Sequence, residues 1–125
     1  MILLVDDEER YREHIARVLT KAGYEVLEAE DGTEALLLLE KSNIDLVLSD
    51  ILMPGMNGYA LVARLRAKWP NMPVILTTGF LSADAAKTMM NGSVGFIPKP
   101  IDAEKLIHMI ERTIPPSSHV TKRNC

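Results

Sequence analysis

Short, unbroken apolar runs alternate along this 125-residue chain with longer stretches in which apolar residues return every three or four positions. Ile2 to Val5 is the first run. Tyr11, Ile15, Val18, Leu19 and Ala22 follow at helical spacing, and Gly23 is a stop signal. Glu25 to Glu28 is a second short extended segment. Asp31-Gly32-Thr33-Glu34 pairs a side-chain acceptor with a glutamate three residues on, which predicts a helix running through Leu36 to Lys41. Asp45 to Ser49 is strand-like, and Gly58 to Lys68 is helical, with Leu61, Val62 and Leu65 on one face and Pro70 and Pro73 closing the unit. Val74 to Thr77 is again a short apolar run. Ser82-Ala83-Asp84 opens a helix predicted to reach about Met90, Gly95 to Pro98 is the last strand, and Asp102 caps a helix that reaches Ile114.

Five strand-helix units in series, joined by short connections, imply an α/β fold with a parallel sheet covered on both faces. The continuous apolar strands agree, because strands buried on both sides need no polar alternation. Right-handed crossovers make the flavodoxin-like doubly wound order 2-1-3-4-5 the leading expectation. A Rossmann order competes, but no G-x-G-x-x-G follows the first strand. Residues 1–114 are thus expected to form one domain, with 115–125 a polar tail or linker that carries no periodicity.

Composition narrows the function classes. The length suits a single domain able to bury roughly two-thirds of its unfolded surface without staples. A net charge of −3 implies neither direct nucleic-acid binding nor an anionic membrane. Cys125 is the sole cysteine, so no internal disulfide is possible and a reducing compartment fits. Asp6 follows the apolar start at once, with no basic leader before it, and no apolar run reaches the ~18 residues of a membrane span. A cytoplasmic domain without a membrane partner is expected.

The stretch DLVLSDILMPGMNG poses the chemical question, because an apolar strand delivers Asp50 to its own tip. In an open parallel sheet, ligands bind beyond the carboxyl ends of the strands, where the winding reverses. Those ends carry Asp6-Asp7, Asp50, Thr77-Thr78 and Lys99-Pro100. In the 2-1-3 order the first and third strands are neighbours, so Asp6, Asp7 and Asp50 would share one cleft. Three like charges at ~4–5 Å repel by several kcal/mol at an effective dielectric of ~20, and such a cleft needs a cation. Carboxylates alone suit Mg²⁺ better than Zn²⁺, and no His or Cys lies near a strand end. A metal held by carboxylates beside a further acid suggests phosphoryl transfer, with Lys99 and Thr78 as cation and hydroxyl donor for phosphoryl oxygens.

Each feature has a blander counterpart. Asp6-Asp7 could be helix N-terminal charges favoured by the dipole, Asp50 could cap a turn, Thr77-Thr78 could be ordinary strand residues, and Lys99 could be a solvated loop charge. Their coincidence at four strand ends of one sheet favours the joint functional reading. His14 and His108 read as helix-surface residues, and Met53, Met56, Met72, Met89 and Met90 as packing.

In order and spacing, ILLVDDEE, DLVLSDILMPGMNG, PVILTTG and GFIPKP resemble the signature segments of response-regulator receiver domains of two-component signalling, over about Ile2 to Thr113. The resemblance implies Asp50 as phospho-acceptor and Asp6, Asp7, Asp50 and the Leu52 backbone carbonyl as ligands of Mg²⁺. It implies Thr78 as switch hydroxyl, Lys99 as phosphate-binding cation, a cis Lys99-Pro100 bond and Phe96 as switch aromatic. A histidine kinase or histidine phosphotransfer protein would be the donor. The acyl phosphate would draw in Thr78 and Lys99, and Phe96 would rotate. That changes the face built by the helix near Ser82, the last strand and the last helix, until autodephosphorylation resets it. The partner reading that face would be a downstream effector, and the domain a monomer or a phosphorylation-dependent dimer. Leu52 and Phe80 stand where many relatives carry polar side chains, so a long-lived phospho-form is expected. The chain is expected to be a stand-alone receiver or part of a larger protein, since it has no output domain of its own. A haloacid-dehalogenase-like hydrolase would need a second acid where Leu52 stands, and flavin phosphate would be repelled by the acids after the first strand. A receiver working without phosphorylation predicts loss of a key residue, yet Asp6, Asp7, Asp50, Thr78 and Lys99 are all present.

Overall fold

The computed structural model describes residues 1–79 and 95–114. The helix expected from Ser82 to Met90, Phe80 and the tail 115–125 lie outside the described residues. The elements are β1 (Ile2–Val5), α1 (Glu9–Lys21), β2 (Val26–Ala29), α2 (Gly32–Lys41), β3 (Leu46–Asp50), α3 (Gly58–Lys68), β4 (Val74–Thr78), β5 (Gly95–Pro98) and α4 (Ala103–Thr113). All strand pairings are parallel, in the order β2-β1-β3-β4-β5. The α/β fold and its strand order are therefore as expected.

Residue by residue, the strands divide the core into two layers. Leu3, Val5, Val47, Val74 and Leu76 face α2 and α3, packing on Ala35, Leu39, Leu61, Val62 and Leu65. Ile2, Leu4, Leu46, Leu48 and Ile75 face the other way, onto Ile15 and Leu19 of α1 and Leu106 and Ile110 of α4. Side chains alternate across a strand, so an unbroken apolar run feeds both layers at once. Every residue of β1, β3 and β4 is buried, whereas the edge strands β2 and β5 are not buried throughout. Each large aliphatic side chain taken fully out of water contributes about 1.5–3 kcal/mol.

The helix boundaries have local causes. Asp31 accepts from the Glu34 amide (2.8 Å), and the Glu34 carboxylate reaches back to the Glu30 amide (2.7 Å), one residue upstream of a standard capping box. Asn57 caps α3 through the Ala60 amide, and Asp102 caps α4 through those of Glu104 and Lys105. At the end of α1, Gly23 has φ 101°. Its amide donates to the Thr20 carbonyl and that of Tyr24 to Leu19, closing a Schellman turn that a side chain on residue 23 would strain.

Candidate functional site

The topology brings the strand tips together. β1 and β3 pair with Val5 opposite Ser49, so Asp6 and Asp50 emerge side by side. Asp50 stands opposite Thr77, and Thr78 opposite Pro98, one residue before Lys99. One carboxylate oxygen from each of Asp6, Asp7 and Asp50 lies within 4.8 Å of the others. Asp6 and Asp50 are buried (3% and 8% exposed) and Asp7 is exposed.

Lys99 closes the cluster. Its Nζ donates to Asp6 Oδ2 (3.2 Å) and to Asp50 Oδ2 (3.1 Å). Burial pushes the Asp50 carboxyl above its ordinary value, the Lys99 bond and charge pull it back, and the Asp6 charge pushes it up again. For Lys99, burial works against the ammonium, but the Asp6 charge and the hydrogen bond to Asp50 outweigh it and hold the group above its ordinary value. One ammonium among three carboxylates leaves excess negative charge in a partly desolvated cleft. The donor set is all carboxylate oxygen, the chemistry of a hard divalent cation.

Backbone geometry fixes the acid at the tip of β3. The Ile51 amide donates to the Thr77 carbonyl (3.0 Å), and the Gly58 amide returns to the Ile51 carbonyl (2.7 Å). A Cβ on Gly58 would sit 2.7 Å from the Asp50 carbonyl oxygen and 2.8 Å from Ile51 Cα, so the start of α3 needs glycine to come this close. Behind Asp6 and Asp50, the void walled by Leu4, Tyr11, Leu48 and Ile101 measures only about 10 Å³, no more than one water. That void is too small for a reactant, and of the three acids only Asp7 is exposed to solvent.

The other expected residues lie on β3 to β5 and the turns that follow β3 and β5. Thr78 is buried at the end of β4, where its carbonyl accepts from the Lys99 amide (2.9 Å). The Lys99–Pro100 peptide is cis. Phe96 is half-buried in β5 against the core layer shared by Leu3 and Val5. Leu52 is 51% exposed.

Two residues that sequence reasoning treated only as part of a helix also belong here. Arg12 Nη1 donates to the Asp6 carbonyl (2.7 Å), and its Nε bonds the Glu28 carboxylate (2.9 Å). The Tyr11 hydroxyl accepts from the Ile101 amide (2.9 Å), and Lys99 Nζ lies 4.6 Å from the centre of its ring. The available signal for Tyr11 was a phenol at an apolar-spaced position, because a buried tyrosine normally finds a partner for its hydroxyl.

Residues 2–111 match the family described as response regulator receiver domain. The chain belongs to that family. The receiver is 36% identical over 115 residues to the DNA-binding transcriptional regulator NtrC of Salmonella typhimurium, covering 91% of this chain and 24% of that protein. It is 39% identical over 102 residues to the sensor histidine kinase RcsC of Escherichia coli (strain K12), covering 81% of this chain and 11% of the kinase. The solved receiver domain of NtrX from Brucella abortus superposes with a TM-score of 0.83 at 32% identity, over 90% of this chain and 97% of that one. The chain spans about a quarter of the length of curated regulators such as NtrC and FleR. Receivers are signalling switches of two-component systems, and this one shares their fold and family. Among the described residues, no helix is long and apolar enough to cross a membrane.

Proposed function

We propose that the receiver accepts a phosphoryl group on Asp50 from a phosphohistidine presented by a histidine kinase or a histidine phosphotransfer protein. The observation that carries this reading is a buried Asp50 at a strand tip, 3.1 Å from Lys99 Nζ and clustered with Asp6 and Asp7 at the switch point of the sheet. An Asp50 carboxylate oxygen attacks phosphorus, the phosphorus–nitrogen bond breaks, and the imidazole leaves. An acyl phosphate remains on Asp50.

Asp6, Asp7 and Asp50, with the Leu52 carbonyl, would hold Mg²⁺, which when bound supplies neutralising charge to the transferred group. Lys99, now bridging Asp6 and Asp50, turns its ammonium to a phosphoryl oxygen, and the Thr78 hydroxyl donates to another. Phe96 follows Thr78 inward. The face containing β5 and α4 is thereby altered, a two-state element biased by a local charge and read by an effector. Hydrolysis of the acyl phosphate restores the resting state. Cytoplasmic residence suits such a donor.

Incubation with acetyl phosphate, with and without Mg²⁺, tests the reading by intact mass. Gain of one phosphoryl group that requires the metal and vanishes in Asp50→Asn is expected. No adduct on the folded protein would overturn it and leave a receiver that binds partners without phosphorylation.

A further inference from the structure

Lys99 carries a long side chain with four rotatable bonds, yet the proposed chemistry needs its ammonium at one place. Asp6 and Asp50 alone do not supply that place, because both carboxylates pull it toward the acids. Tyr11 gives the ammonium a third contact. Its ring lies 4.6 Å from Lys99 Nζ, within the range at which the face of an aromatic ring attracts a cation. Its hydroxyl accepts from the amide of Ile101, two residues beyond Lys99. The Lys99 amide is itself held by the Thr78 carbonyl. One side chain of α1 thus grips the turn past Lys99 and seats the ammonium, while β4 holds the Lys99 amide. The same first turns of α1 hold Asp6 through Arg12.

We propose that Tyr11 is a positioning residue that seats the Lys99 ammonium and couples the start of α1 to the Lys99-Pro100-Ile101 turn. The ring adds its attraction to the hydrogen bonds from Lys99 to Asp6 and Asp50, so that Lys99 stays within reach of both acids and of an incoming phosphoryl group. As a device for phosphoryl transfer this rests on the reading of Asp50 given above. The seat itself does not.

The test uses the whole chain and two variants. Tyr11→Leu removes ring and hydroxyl; Tyr11→Phe keeps the ring and frees the Ile101 amide. Tyr11→Leu is expected to slow phosphorylation by acetyl phosphate and Mg²⁺ about tenfold, and Tyr11→Phe about threefold. In a Lys99→Ala background, Tyr11→Leu should cost nothing further, since the residue acts through Lys99. By NMR without metal or phosphoryl donor, the Lys99 ε-methylene protons should resonate upfield in wild type and Tyr11→Phe, shielded by the ring, and return to the ordinary lysine position in Tyr11→Leu. Exchange of the Ile101 amide should quicken in Tyr11→Phe, which also decides the matter if the leucine variant does not fold. An equal loss in the Lys99→Ala background, or an unmoved Lys99 resonance, would overturn the proposal. Failure of wild type to take up any phosphoryl group would instead defeat the reading of Asp50, and the NMR comparison would still decide the seat.

Discussion

The turn after β1 and the turn after β2 are built from similar residues: Asp6-Asp7-Glu8-Glu9 in one, Glu30-Asp31 with Glu34 in the other. Both lead into helices, and both place an acid near a helix N-terminus, where it is favoured. In the second turn the carboxylates are satisfied locally, Asp31 by the Glu34 amide and Glu34 by the Glu30 amide. In the first, Asp6 does two things at once. Its Oδ1 accepts from the Glu8 amide (2.9 Å), as a turn residue would, while Oδ2 faces Lys99. The difference lies in the neighbours. β2 is an edge strand, so among the described residues no partner strand flanks the far side of its tip, whereas β1 lies between β2 and β3 and its tip meets Asp50. A strand-tip acid gains chemistry from what the sheet order sets beside it.

That contrast can be broken by exchanging what each acid loses. Asp6→Ala should lower Mg²⁺-dependent phosphorylation about 100-fold or more, because it removes a proposed metal ligand and a Lys99 partner, whereas Asp31→Ala should leave the rate within about twofold. Similar losses in both variants would show that the first turn is no more than a helix cap. A third turn, after β3, gives the next largest effect. Gly58→Ala would press a methyl against the Asp50 carbonyl and should destabilise the domain by about 2 kcal/mol in urea unfolding. An unchanged midpoint would mean that the turn yields freely. Asp31→Ala should cost about 1 kcal/mol in the same assay, the usual value of a lost cap.

The smallest effect is electrostatic. Burial holds Asp50 above its ordinary 3.8, so the native state binds that proton more readily than the unfolded chain does. Above the raised value the ionised carboxylate subtracts stability, and the penalty fades as pH falls through that value toward 3.8. Lys99 acts in the opposite sense: its contribution is present at neutral pH and is lost only as pH rises above 10.5 through its raised value. Without metal, Asp50→Asn should therefore melt a few degrees above wild type at neutral pH, with the gap closing in acid. Identical melting curves from neutral to acid pH would contradict this.

Among the described residues, element bounds were legible to within a residue or two. β2 starts at Val26 rather than Glu25 and ends at Ala29, and β4 includes Thr78 as well as Thr77. Such shifts are small because apolar period and cap chemistry act over a few residues. The acids and Lys99 could be gathered at one edge because parallel order places every strand tip on the same side. Tyr11 and Arg12 could not be found that way. Their contacts, to Ile101 and Lys99 ninety and eighty-eight positions along the chain and to Glu28 on the neighbouring strand, cross between elements. Helical spacing reports only that a residue faces inward, not what it meets there.

By itself, the chain's pattern determined the strand-helix alternation, the parallel sheet and the residues that stand at its carboxyl edge, because these follow from local periodicity and from the limited ways such units pack. The tertiary structure alone decided which acids are buried and which stay in water. It also decided that Lys99 bridges Asp6 to Asp50 while Asp7 remains exposed, and that α1 reaches over to hold the Lys99 turn. Charge separation, desolvation and ring-to-ammonium distance depend on three-dimensional placement to within an ångström or so, and short-range sequence pattern carries no such distances.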